Sequence, residues 1–246
     1  MTMFSIFSRK KQILQTGLLE GMVDVHCHLL PGVDDGVQTE EEALAAFQAL
    51  SAMGGNSFYL TPHVMEDLPG NNRSFLLDRF EQLKSMLPAD VQVKLAAEYM
   101  LDAGFTSHRE EGYLTMGNDR LVLVETSYLS APPDLDVILF ELVMNGYLPL
   151  IAHPERYVYM EREKYVRLKE YGYKFQLNLL SLSGFYGKQA FEKSRSLLKE
   201  GLYDYVGSDF HQLSKHQRGL AHLSLASSGQ KELKRLLENN KELFYK

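Results

Sequence analysis

The chain has a single cysteine, Cys27, so no disulfide can form within it. A lone thiol points to a reducing, intracellular setting. No apolar run approaches the roughly 20 residues of a membrane-spanning helix. The N-terminal MTMFSIFSRKKQ places its short apolar stretch before its charges, the reverse of a secretory signal. Residues 3 to 13 have the pattern of a small amphipathic segment, and a frayed terminus is the simpler expectation. Basic residues are in the minority, with 26 Lys and Arg against 32 Asp and Glu, a net charge of -6. A nucleic-acid groove needs a basic stripe, so binding to nucleic acid and a proofreading nuclease role are disfavoured. A local basic pocket for one phosphate is not. No repeat, low-complexity stretch or Pro/Gly/Ser linker divides the chain, which reads as a segment 1–21 followed by one domain, 22–246.

What is present is an alternation of strand-like and helix-like segments. Apolar runs lie at Met22–His28, Ser57–His63, Val91–Glu98, Leu121–Thr126, Leu148–His153, Lys174–Leu180 and Tyr203–Asp209. Helical periodicity occupies Thr39–Met53, Asn72–Met86, Pro133–Asn145, Arg162–Tyr171, Lys188–Glu200 and Leu213–Glu238, while the link from Glu98 to Leu121 is less clearly helical. Repeated strand–helix units imply a parallel sheet, and seven of them can close into a distorted (β/α)7 TIM-like barrel.

Six of the seven runs end in His, Asp or Glu: V-D-V-H-C-H, T-P-H, A-E, V-E-T, A-H-P-E-R and G-S-D-F-H. In a parallel barrel these ends converge on the face where active sites sit. Singly, each histidine is more often a surface or satisfied core residue. Together, five of the eight histidines, His26, His28, His63, His153 and His211, fall at strand ends, and His108, His216 and His222 read as solvent-facing. Glu98 and Glu125 close otherwise apolar strands, where a carboxylate is costly to bury unless paired or bound to a cation; a salt bridge at the barrel mouth is the plainer alternative. Period-2 alternation puts Asp24, His26 and His28 on one face and Cys27 on the other. A cysteine-phosphatase loop needs C-x5-R, but the sixth residue after Cys27 is Val33. Cys27 therefore reads as a small buried hydrophobe.

The motifs D-V-H-C-H, G-V-D-D-G, T-P-H, A-E, V-E, A-H-P-E-R and S-D-x-H resemble the polymerase and histidinol phosphatase (PHP) superfamily, from about Met22 to Arg218. LPGVDDGVQTEEEAL and the fourth-strand glutamate are most similar to bacterial manganese-dependent protein-tyrosine phosphatases of capsule and exopolysaccharide synthesis. That resemblance implies three divalent metals, manganese foremost and iron or zinc as alternatives. The first would take His26, His28, Glu98 and Asp209; the second Glu98, Glu125 and His153; the third Asp35, His63 and His211. It further implies a metal-bridging hydroxide as nucleophile and Arg156 as a phosphate-binding residue, against an ion pair with Glu155. A second family arginine corresponds to Arg218, later in the chain than the pattern has it, so that Lys215 or His216 could take its place. The implied substrate is a phosphotyrosyl protein such as a partner kinase tail, with Gly184, Phe185 and Tyr186 as walls for the aromatic leaving group or as ordinary packing. The implied location is the cytoplasm, with peripheral attachment at the inner membrane through a partner. The competing functions are a small-metabolite phosphoesterase and a metal-stabilised binding module without turnover.

Overall fold

The computed structural model describes residues 10–246. The strands are β1 (Lys11–Gln12), β2 (Met22–Cys27), β3 (Gly55–Leu60), β4 (His63–Val64), β5 (Gln92–Leu95), β6 (Glu98–Met100), β7 (Leu121–Glu125), β8 (Leu148–Ala152), β9 (Lys174–Asn178), β10 (Tyr205–Gly207) and β11 (Ser224–Leu225). The helices are α1 (Glu40–Ala52), α2 (Arg73–Lys84), α3 (Leu135–Met144), α4 (Arg162–Glu170), α5 (Lys188–Lys199), α6 (Leu213–His222) and α7 (Ser227–Tyr245). Local chemistry starts the first two helices. Thr39 accepts a hydrogen bond from Glu42 N, with Glu40, Glu41 and Glu42 favourably placed in the first turn of α1, and Asn72 caps α2 through Phe75 N.

The central strands form a mixed α/β fold with a curled, half-barrel sheet. One ladder runs β10-β9-β8-β7-β6-β4 and another β2-β3-β5, every pair parallel. The runs expected as single strands at Ser57–His63 and Val91–Glu98 are each divided in two. Pro62 has no N–H to donate, so the ladder is interrupted there. The register nevertheless carries through, Leu60 opposite Leu95 and His63 opposite Glu98, and Glu98 N donates to the Pro62 carbonyl.

β2 and β10, each at the end of its ladder, approach each other at both ends. Asp209 N donates to His26 O and His28 N to Phe210 O at one end. At the other, buried Asn240 of α7 accepts from Val206 N and donates to Val23 O and Val206 O. Gly207 permits the approach, since a Cβ there would lie 2.4 Å from His26 Cβ.

Two expectations about the chain's ends change. The helical pattern from Leu213 to Glu238 is two helices, because Ser224–Leu225 is drawn out to pair antiparallel with Lys11–Gln12. Residues 3–9 of the amphipathic segment lie outside the described residues. Its remainder is docked, with Ile13 buried and its N–H donating to Leu223 O. Inside the curl lies an apolar cluster of Val23, Val25, Tyr59, Leu123 and Leu150, and the larger core packs between sheet and helices. Between Asp24 and Cys27 the pairing with β3 slips by a residue, a β-bulge that breaks the simple alternation. Asp24 is consequently not grouped with the two histidines. It accepts from Ser208 N at 2.9 Å and from the Ser208 hydroxyl, and lines a cleft with Leu50 and Phe58.

Candidate metal centre

All nine expected ligands meet at one mouth of the curled sheet. His26 Nε2 is 3.1 Å from Glu98 Oε2 and 3.5 Å from Asp209 Oδ1; His28 Nε2 is 3.4 and 3.3 Å from the same two oxygens. His63 Nδ1 lies 3.3 Å from Glu98 Oε2 and 3.0 Å from Glu125 Oε1. His153 Nε2 is 3.0 Å from Glu98 Oε1 and 3.9 Å from Glu125 Oε2. Asp35 Oδ1 faces His211 Nε2 at 3.2 Å and His63 Nε2 at 3.5 Å.

Three groups have ligand atoms within 4.8 Å of one another: His26, His28, Glu98 and Asp209; His63, Glu98 and Glu125; and His28, Asp35, His63 and His211. This donor set fits divalent ions. Imidazole nitrogens and carboxylate oxygens converge tip to tip, and Glu98 turns one oxygen towards His26, His28 and His63 and the other towards His153. Buried His63 Nδ1 approaches Glu125 closely yet forms no hydrogen bond, the arrangement of two ligands facing a shared ion.

Burial opposes charge on His26, but Glu98 and Asp209 raise its pKa to about 9. Burial likewise opposes ionisation of Glu98, but His26, His153 and His28 hold it well below the usual carboxylate range. Backbone strain gathers here as well. Of the three non-glycine residues with left-handed φ among the described residues, His153 (30°) and Asp209 (52°) stand here, and Arg120 (53°) precedes β7.

The supporting residues were the part that sequence reasoning missed. Asp34 Oδ2 accepts from His28 Nδ1 at 2.8 Å and from His63 N at 3.0 Å. Gln176 Oε1 accepts from His26 Nδ1 at 3.0 Å and His153 N at 3.2 Å. With Nδ1 protonated, each of His26 and His28 turns Nε2 to the site. Asn178 Nδ2 donates to Asp209 Oδ2 at 2.8 Å. The signal was legible in β9, the one run without an expected ligand at its end: Gln176 and Asn178 alternate with Phe175 and Leu177. Gly36 lets the Asp34–Asp35 loop fold onto β2, since its Cβ would stand 2.2 Å from His28 O.

Arg156 is bonded to Asp209 Oδ2 at 2.7 Å, not to Glu155. Glu155 is buried and accepts from Asn178 N and the Tyr203 hydroxyl. A cavity of about 300 Å³ opens over the ligands, walled by Tyr128, Arg156, Phe185, Tyr186, Lys215 and His216. Arg218 is exposed on α6, one turn beyond Lys215. His216 departs from its expected place in solvent. It is 4% exposed against Phe210, because α6 turns that face onto the β10 end, and burial lowers its pKa to about 4. His222 is exposed, and His108 is half-buried beside Tyr99. Cys27 is buried in the outer core with its sulfur 3.4 Å from Tyr59 O, and burial pushes its thiol pKa well up.

Residues 22–243 match the family described as capsular polysaccharide synthesis, CpsB/CapC. The chain belongs to this family. The match runs through α7, past the Arg218 limit of the legible motifs. Among CpsB/CapC relatives, the chain is 30% identical over 204 residues to tyrosine-protein phosphatase CpsB of Streptococcus pneumoniae, covering 78% of this chain and 84% of that one. It is 26% identical over 201 residues to tyrosine-protein phosphatase YwqE of Bacillus subtilis (strain 168), covering 77% of each. A solved structure described among YwqE from Bacillus subtilis and CpsB from Streptococcus pneumoniae, unique metal-dependent tyrosine phosphatases, superposes with a TM-score of 0.77 at 25% identity, over 91% of this chain and 94% of that one.

Proposed function

We propose that this CpsB/CapC member is a metal-dependent protein-tyrosine phosphatase of capsule or exopolysaccharide synthesis. The observation that carries the reading is the convergence of nine His, Asp and Glu side chains, eight of them in overlapping ligand groups and His153 against Glu98, beside one arginine. The named activities of CpsB and YwqE support the substrate class. Three ions, with manganese the first choice, would be held by His26, His28, Glu98 and Asp209, by Glu98, Glu125 and His153, and by Asp35, His63 and His211. Bound there, they would supply hydroxide near neutral pH and neutralise charge on the phosphoryl oxygens. Arg156 would present paired donors to those oxygens. Phe185 and Tyr186 would wall the tyrosyl ring, and Lys215 or Arg218 would add a second cation. The substrate would be a phosphotyrosyl kinase tail, met in the cytoplasm or at the inner membrane. Among the described residues no helix is long and apolar enough to cross a membrane.

The same reading takes the curled sheet as the distorted (β/α)7 barrel of one domain, 22–246, supported by the backbone bonds and the Asn240 bridge between β2 and β10. The test is metal analysis with turnover of phosphotyrosyl peptides and of histidinol phosphate, before and after chelation. Chelation-sensitive hydrolysis of the peptide, with close to three ions per chain, is the expected result. Preference for the small ester would move the protein to metabolite phosphatases, and binding without turnover would make it a metal-stabilised module.

A further inference from the structure

Three successive strand-end loops bring Tyr128, Arg156 and Tyr186 together after β7, β8 and β9. The Arg156 guanidinium carbon lies 4.3 Å from the Tyr128 ring centroid and 4.2 Å from that of Tyr186. Both distances are well inside the range of a cation–π contact. All five guanidinium hydrogens lie in its plane, so a guanidinium packed against rings donates along its edge. One donor is committed to Asp209 Oδ2 at 2.7 Å, and the residue borders the cavity over the metal ligands. Asn178 binds the same Asp209 oxygen, so Arg156 and its carboxylate partner belong to one network. Tyr128 is braced by the Val158 N–H on its carbonyl and by the nearby Tyr157 ring.

We propose that Tyr128 and Tyr186 are positioning residues that hold the Arg156 guanidinium against their rings, with its free edge towards the phosphoryl group. The proposal rests on the phosphate-binding role given to Arg156 above. A long, freely rotating arginine would lose side-chain entropy on each encounter with substrate, whereas a stacked one has lost it on folding. Neither tyrosine needs to touch the substrate for this to work.

The test uses the manganese-loaded full chain and a phosphotyrosyl peptide. Tyr128→Phe and Tyr186→Phe keep the ring; Tyr128→Leu and Tyr186→Leu remove it. Tyr128 is 38% exposed, so its leucine variant leaves the core closed and is the cleaner of the two. The leucine variants should lose about tenfold in kcat, the lower end of what mutating a supporting residue around a site costs, with phenylalanine restoring most of it. The decisive arm repeats Tyr128→Leu in an Arg156→Ala background, where it should cost nothing further, because residues acting as one unit are not additive. Without metal or substrate, the Arg156 Nε–Hε order parameter by 15N relaxation should fall in the leucine variants and not in Tyr128→Phe. An undiminished loss in the Arg156→Ala background would show the ring acting on substrate or fold and overturn the clamp, as would an unchanged order parameter. Wild-type kinetics in Arg156→Ala alone would remove the phosphate role on which the clamp depends, and overturn both.

Discussion

Glu98 and Asp35 are both acidic residues at the same mouth of the sheet, yet one side chain is 1% exposed and the other 72%. Glu98 is surrounded by His26, His28, His63 and His153, while Asp35 reaches out from a loop to His63 and His211. An isolated carboxylate at the first position would be intolerable without its partners; the second costs little to solvate. The inner carboxylate is therefore held within the fold by its histidine partners, and the outer one stands at an edge open to solvent. The supports follow the same division. Gln176, Asn178 and Asp34 brace His26, Asp209 and His28, while Asp209 O accepts from His211 Nδ1.

The comparison breaks most directly at its two carboxylates. Glu98→Gln should lower turnover about 10³-fold, the upper range for one electrostatic group in a site, and remove more than one ion per chain by elemental analysis. Asp35→Asn should cost only about 10–100-fold and a single ion. Equal damage from both would mean that exposure does not separate the two groups. Arg156→Ala should reduce kcat about 10²–10³-fold on p-nitrophenyl phosphate and phosphotyrosyl peptide alike, with partial rescue by lysine. Because Arg156 donates to Asp209, this variant should also weaken metal retention, and a chelator titration reads that separately.

Asp34→Asn sharpens the inner side. The neighbouring acids of the G-V-D-D-G loop have different jobs, one bracing His28 and one reaching the open edge. The expected loss is about 10–100-fold in metal affinity, measured by competition with a chelator; unchanged affinity would leave the His28 hydrogen bond without a role.

His216 tests burial without metal. Its pKa is 6.5 in the unfolded chain and about 4 when folded, so the unfolded state takes up a proton first as pH falls. Its contribution is complete above pH 6.5 and is lost between 6.5 and 4, about 3 kcal/mol in total. Urea melts of wild type and His216→Phe at pH 7 and 4.5 should show a smaller acid loss in the variant; parallel losses would refute the assignment. The smallest effect belongs to Cys27→Ser, which should keep nearly all activity because the sulfur lies in the outer core. A drop of about 10³ or more in a folded, metal-loaded variant would reinstate a thiol nucleophile.

Much of this was legible before any fold was known. Strand periodicity and the residue types at strand ends determined that His26, His28, His63, Glu98, Glu125, His153, Asp209 and His211 share one mouth, because a parallel sheet brings strand ends together whatever its details. The resemblance added Asp35 and the phosphate-binding role proposed for Arg156. What only the tertiary structure decided is which neighbour each group answers to. The bulge in β2 turned Asp24 to Ser208 and left His26 and His28 in the site. Arg156 bypassed the adjacent Glu155 for Asp209, 53 residues away. The pairing of β1 with β11 divided one helical pattern into α6 and α7. Period and propensity describe residues a few positions apart. These choices were made by hydrogen bonds and burial between segments that the chain brings together only when folded.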